Sequence, residues 1–214
     1  MAHVTKVTDA RVVGLANSIR DKSLNAKEIK QILTAIGCEI GRICGEAMKV
    51  AKDEAFITPQ NVNFNGVVVR IPRLVVITTK ADAETLGHGI SASSGATDQG
   101  YINFQGIRGK KALNAPVREA CFPNLGGHNV EAVIVGKAVL ATGCTAISLT
   151  KSAITQYMPS RLFIASIFYS KAGLADLVNE FPRSEIIIIG NCDGLDEDGM
   201  LIPGVGDLDA RLAL

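Results

Sequence analysis

A chain of 214 residues with 47% apolar and 20% charged side chains can bury a sizeable core as a single domain over 1–214 or as one domain with a small appendage, which excludes a disordered or low-complexity protein. A formal net charge of +1 speaks against a nucleic-acid binder, and no apolar run reaches membrane-spanning length. The five cysteines, Cys38, Cys44, Cys121, Cys144 and Cys192, are scattered without a CxxC pair, so a reducing cytoplasm is expected rather than a disulfide framework or zinc site. His3, His88 and His128 show no ligand spacing, and Met1-Ala2-His3-Val4 does not read as the start of a signal peptide.

The N-terminal part, 1–57, reads as helical. Ser23 is placed to cap a helix whose apolar stripe runs through Ile29, Ile32, Leu33, Ile36, Ile40 and Ile43. Gly37, Gly41 and Gly45 recur at every fourth position on an adjacent face, a spacing that predicts close helix packing within the chain or across a subunit interface. Lys49 to Glu54 reads as solvated surface.

After Thr58-Pro59 the pattern changes to short strands, Val67–Val69 and Leu74–Ile77. Thr78-Thr79-Lys80-Ala81-Asp82 follows directly. Open α/β sheets collect ligands at the carboxyl ends of their strands, so this loop is a candidate site, with Lys80 as a point charge for an anion. A surface lysine in a connecting turn fits equally well. Residues 91–129 are broken by glycines and carry the basic run Arg108-Gly109-Lys110-Lys111. They read as a projecting hairpin arm, either folded over a phosphate-bearing ligand or contacting another subunit.

The run from Glu131 to Ile154 begins with strand formers, Val133–Val135 and Val139-Leu140. It passes through Ala141-Thr142-Gly143-Cys144-Thr145 and continues with helical spacing at Ala146, Ile147, Leu149, Thr150 and Ile154. A strand, a small-residue turn and a helix start together form an anion site, because the first helical N–H groups lack intrahelical partners and the helix dipole is positive there. An ordinary β-turn-α connection has the same pattern. Leu162–Phe168 and Glu185–Gly190 are buried-type strands flanking a helix over Lys171–Phe181, which predicts right-handed crossovers and a mostly parallel sheet. The tail, 191–214, is acidic and turn-rich up to Gly199, but not in the register of a calcium loop. It then presents Met200-Leu201-Ile202-Pro203-Gly204-Val205-Gly206-Asp207, whose backbone groups can read the edge of a flat heterocycle.

Two motifs in this order and spacing, Leu140-Ala141-Thr142-Gly143-Cys144-Thr145 and Gly199 to Asp207, resemble the LATGGS loop and GYIIPGLGD tail of uracil phosphoribosyltransferase, a type I phosphoribosyltransferase family. The resemblance extends to Lys171-Ala172-Gly173 and covers most of the chain. It implies a mostly parallel α/β sheet flanked by helices, a projecting hairpin arm, and a homodimer or higher homo-oligomer. It also implies phosphoribosyl pyrophosphate or a nucleotide as ligand, together with a pyrimidine-like base. Ala141, Thr142, Gly143, Cys144 and Thr145 would then hold the ribose 5-phosphate. Met200, Ile202, Gly204 and Gly206 would line the base pocket, and Asp207 would be the catalytic residue near sugar and base.

Two positions depart from the family's pattern. Lys137 stands three residues before Leu140, where the family carries an acid that helps hold ribose hydroxyls or magnesium, so the Mg2+ requirement that the resemblance implies is in question at this residue. Unit charges ~4 Å apart at an effective dielectric near 20 interact by about 4 kcal/mol before screening, so a reversed sign there is not neutral. Thr78-Thr79-Lys80-Ala81-Asp82 stands where the family has ILRAG, which loses the bidentate arginine and adds a carboxylate on the pyrophosphate side. Three functional expectations follow. One is phosphoribosyl transfer to uracil or a related heterocycle, with Lys80 and Lys137 on phosphates. The second is a catalytically silent relative that binds a nucleotide as sensor or assembly partner. The third assigns other chemistry to a reactive Cys144 or Lys137.

Overall fold

The computed structural model describes residues 2–96, 98–104, 116–127 and 129–213. In chain order, β1 (His3–Val7) precedes α1 (Ala10–Ser18), α2 (Ala26–Met48), β2 (Val50–Ile57) and β3 (Asn63–Arg70). β4 (Leu74–Thr79) runs through α3 (Lys80–Asp82), a π-helical turn (Ala83–Gly87) and α4 (His88–Ser94) to β5 (Asp98–Phe104) and β6 (Val117–Cys121). Then come β7 (Ala132–Gly136), β8 (Val139–Leu140), α5 (Cys144–Tyr157), β9 (Arg161–Ser166), β10 (Phe168–Tyr169), α6 (Lys171–Glu180) and β11 (Glu185–Ile189). The chain closes with β12 (Gly194–Leu195), β13 (Leu201–Ile202) and α7 (Leu208–Ala213).

Seven strands form the main sheet in the order β1-β11-β9-β7-β4-β5-β6, all neighbours parallel except β5 and β6. Both faces are covered, which is why its central strands are continuous apolar runs without polar alternation. Val76, Ile134, Phe163 and Ile187 pack with the stripes of α1, α2 and α4. Their neighbours Val75, Val133 and Val135 face Leu149 and Ala153 of α5, and Ile164, Ile186 and Ile188 pack with Leu177 of α6. From β4 the chain first moves outward to β5 and then returns to β7 on the other side. The carboxyl ends of β4 and β7 therefore flank the sheet's topological switch point, where open α/β sheets place their ligands.

The glycine ladder of α2 packs within the chain. A Cβ on Gly37 would lie 2.5 Å from the Leu86 carbonyl oxygen and one on Gly45 2.8 Å from that of Ser94, while one on Gly41 would collide with the Ile90 carbonyl. Only bare Cα positions let α2 press its backbone onto the π-turn and α4.

One local expectation is corrected. α2 is capped by Asn25, not Ser23: Asn25 Oδ1 accepts from Glu28 N–H at 3.0 Å, and Glu28 returns the contact to Asn25 N–H at 2.9 Å. The N-terminal region also holds an edge strand, β1, parallel to β11. Lys49–Glu54 is solvated surface as expected, and most of it is also strand, because β2 pairs antiparallel with β3 along its whole length. Among the described residues these two strands pair only with each other, forming a hairpin apart from the main sheet. The stretch expected as an arm, 91–129, contributes the end of α4 and the antiparallel β5–β6 pair at the sheet edge. Its basic run, 108–111, lies outside the described residues.

Candidate functional site

The small-residue turn leaves β8 and enters α5 through Gly143, the N-cap, at φ +78°. No side chain caps this helix, so its first N–H groups face the turn. The turn is held from behind by Ser170, whose Oγ donates to the Ala141 carbonyl at 2.5 Å and accepts from Gly173 N–H at 2.8 Å. Gly173 is needed there, since a Cβ would sit 2.5 Å from the same Ala141 oxygen. Thr142 and Thr145 are half-buried at the turn, whereas Cys144 is buried with its Sγ 3.8 Å from the Thr142 carbonyl. That thiol packs inward.

The tail comes up beside this turn. Asp193 continues the β10 edge, pairing with Ser170 and donating its N–H to the Tyr169 carbonyl at 2.8 Å. β12 and β13 then form a small antiparallel ribbon, within which Asp196 Oδ1 accepts Met200 N–H at 2.7 Å. Gly199, at the ribbon's turn, is close enough that an added Cβ would touch Thr142 Cγ2 at 3.4 Å. At the end of the ribbon Ile202 is 55% exposed, and beyond it Gly204 and Gly206 have φ of +59° and +68°. Gly204 admits no side chain, because a Cβ would collide with the Leu201 carbonyl. Asp207 Oδ1 accepts Ala210 N–H at 3.2 Å, capping α7 while remaining on the exposed side of the tail.

Two arginines that sequence reasoning missed set this tail in place. Arg20 donates to Asp193 Oδ2 at 2.9 Å and to the Gly204 carbonyl at 3.0 Å, and its guanidinium lies 5.1 Å from the Phe168 ring centre. Arg211 Nη1 donates to the carbonyls of Ile19 at 2.6 Å and Val205 at 3.0 Å. Their partners are up to 192 residues away, so no local pattern announces them.

At the switch point the two unusual lysines take different positions. Lys137, directly after β7, donates to Asp82 Oδ2 at 2.7 Å, and the same oxygen accepts Thr79 Oγ1 at 2.6 Å. The Asp82 side chain is 1% exposed and that of Lys137 13%. Burial works against the ammonium, but the charges of Asp82 and Asp209 and the hydrogen bond together hold its pKa above the ordinary 10.5. Lys80 lies outward on the β5–β6 pair, 2.5 Å from Glu119 Oε2 and over the Tyr101 ring, and the hydrogen bond to Glu119 raises its pKa. The structure thus brings the Ala141–Thr145 turn and the Gly199 end of the tail together. It ties Lys137 to the β4 loop and Lys80 to the sheet edge.

A divalent cation finds a poor donor set here. The one carboxylate paired with the β7 end, Asp82, is engaged by an ammonium and a hydroxyl, and among the described residues no group of three His, Cys, Asp or Glu side chains is placed to hold a metal. Cavities of about 460 Å³ beside Arg73 and about 540 Å³ beside Tyr157 lie at the opposite, amino end of the strands.

The family model for uracil phosphoribosyltransferase matches residues 7–212. The chain belongs to this family. The uracil phosphoribosyltransferase of Natronomonas pharaonis is 26% identical over 198 residues, 88% of each chain. That of Thermococcus gammatolerans is 26% identical over 204 residues, 94% of this chain and 88% of the other. Among solved structures, the AQ2163 protein from Aquifex aeolicus superposes with a TM-score of 0.79 at 19% identity, covering 98% of this chain and 97% of that one. That likeness shows the shared architecture: a mostly parallel sheet between helices. Among the described residues no helix is long and apolar enough to cross a membrane.

Proposed function

We propose that this uracil phosphoribosyltransferase family member transfers a phosphoribosyl group from phosphoribosyl pyrophosphate to uracil or a related heterocycle, giving a nucleoside monophosphate. The observation that carries this reading is the closeness of Gly199 to Thr142, which sets a ring-reading tail beside an anion-binding turn. The N–H groups at the start of α5 bind the 5-phosphate, helped by the hydroxyls of Thr142 and Thr145. Backbone groups from Met200 to Gly206 orient the base. A base nitrogen forms a bond to C1 as the bond from C1 to the pyrophosphate oxygen breaks, and the nitrogen's proton passes to solvent. Positive charge gathers on C1 in that transition state, and Asp207 supplies a carboxylate at the tail to stabilise it.

A second reading rests on a specific observation. Lys137 and Lys80 are each paired with a carboxylate of the chain itself, so neither brings uncompensated charge to a pyrophosphate. A protein that binds a nucleoside monophosphate without turnover needs the turn and the tail but no pyrophosphate site. Incubating the purified protein with phosphoribosyl pyrophosphate and a panel of bases, with and without magnesium, tests the first reading by the appearance of a nucleoside monophosphate. Tight calorimetric binding of uridine monophosphate with no product from any base selects the second.

A cytoplasmic setting belongs to the same proposal, supported by five unpaired cysteines. So does assembly into a homo-oligomer. The β2–β3 hairpin is too small to be stable by itself in water and exposes Phe56 and Phe64 on one face and Val67 and Val69 on the other, apolar surface suited to a second copy. Sedimentation at micromolar concentration reads the mass directly.

A further inference from the structure

Arg20 follows Ile19, the buried residue that closes α1, so its side chain springs from a helix end fixed in the core. Its contacts fall on two separate parts of the candidate site. Asp193 and Phe168 belong to the β10 edge, and β10 pairs in parallel with β8, the strand that runs into the Ala141–Thr145 turn. Ser170, next along that edge, holds the Ala141 carbonyl. The remaining contact is the Gly204 carbonyl of the tail. One nitrogen, Nη1, donates both to Asp193 at 2.9 Å and to Gly204 at 3.0 Å. The offset between turn and tail is therefore set across a single atom of Arg20. Arg211 repeats the arrangement one residue on, binding the Val205 carbonyl together with that of Ile19. Desolvation offsets much of what an ion pair with side chains 24% and 5% exposed contributes to stability, but its charged hydrogen bonds have direction.

We propose that Arg20 is a positioning residue for the base: it holds Gly204 at a fixed offset from the anion-binding turn, so that a ring joined to a ribose 5-phosphate meets a tail already in place. Ordering the tail in advance removes an entropy cost that ring binding would otherwise carry. The turn itself is held by Ser170 and does not need Arg20. This rests on the nucleotide-binding reading above and deepens it, assigning to Arg20 the share of affinity that the ring adds to the sugar phosphate.

Calorimetric titration of uridine 5′-monophosphate and of ribose 5-phosphate, which lacks the ring, tests it. The wild-type protein should bind the nucleotide roughly fiftyfold or more tightly than the sugar phosphate. In Arg20→Met/Asp193→Leu, which leaves no buried charge unpaired, that ratio should shrink by roughly tenfold or more while ribose 5-phosphate affinity stays within about twofold. Arg20→Lys keeps a cation opposite Asp193 but has no flat face for Phe168, and should recover part of the ratio. Melting temperatures show which variants are folded at the titration temperature. A ratio unchanged in the folded variants overturns the role of Arg20 and leaves the nucleotide site standing. Equal loss of both ligands marks general damage to the fold and overturns it as well. If the wild-type protein binds the two ligands equally, the base reading of the tail fails and takes this proposal with it. Binding of neither ligand removes the phosphate site too.

Discussion

The ammonium of Lys137 lies 2.7 Å from the carboxylate of Asp82, 55 positions earlier in the chain, and each compensates the charge of the other. Alone, either residue would leave a largely buried, unmatched charge. Together they form one neutral pair across the switch point.

Removing one member should therefore cost far more than removing both. Lys137→Met strands a carboxylate that is 1% exposed and should lower stability by about 3–5 kcal/mol, whereas Lys137→Met/Asp82→Leu should come within about 1–2 kcal/mol of the wild type. Urea unfolding of the single and double variants measures both values. The pH dependence follows from the raised lysine pKa. The lysine's contribution is fully present below its ordinary 10.5 and is lost as pH rises through the higher folded value. The gap between wild type and Lys137→Met should stay flat from neutral pH to about 10 and close above that.

Glycines in two helices should respond in opposite directions. Gly41→Ala in α2 drives a methyl into the Ile90 carbonyl of α4 and should destabilise by about 1–3 kcal/mol despite alanine's better helix propensity. Gly14→Ala in α1 meets nothing within 4 Å and should stabilise by up to about 1 kcal/mol. Thermal melts of the two variants read the signs.

Gly143→Ala tests the anion-binding turn. Its φ of +78° and the Gly173 carbonyl 3.1 Å from the added Cβ should cost about 1–2 kcal/mol of stability. Because the strain falls on the N-cap of α5, uridine monophosphate affinity should drop at least tenfold, measured by calorimetry at a temperature where the variant is folded.

Asp207→Asn separates charge from structure. Asparagine caps a helix about as well as aspartate, so the hydrogen bond to Ala210 N–H and the melting temperature should persist. If the carboxylate stabilises positive charge at C1, turnover should fall by about tenfold to a thousandfold with little change in nucleotide affinity. Steady-state kinetics beside calorimetry gives the two numbers.

The buried strands were legible because each is covered on both faces, so its apolar run is uninterrupted; Glu185–Ile189 is an example. β1 was not, since His3–Val7 is a mostly exposed edge strand with little apolar signal. β2 was not, because it is shaped by pairing with β3 rather than by a core, and its residues are almost all exposed. At the start of α2 the informative residue was Glu28, which completes a capping box with Asn25 and offers nothing to Ser23. Of the site, the turn and the tail are local motifs and could be read directly. The pairing of Lys137 with Asp82, and the hold of Arg20 on Gly204, depend on strand order and long-range docking, which no short window contains.

The central claim is that the Ala141–Thr145 turn and the Met200–Asp207 tail serve one ligand. A crystal structure with uridine 5′-monophosphate tests it most directly. The account predicts the phosphate on the N–H groups at the start of α5 and the pyrimidine edge against the backbone from Ile202 to Gly206, in a single molecule. A nucleotide seated away from either segment, or a phosphate on the turn with its base directed to solvent, would contradict it.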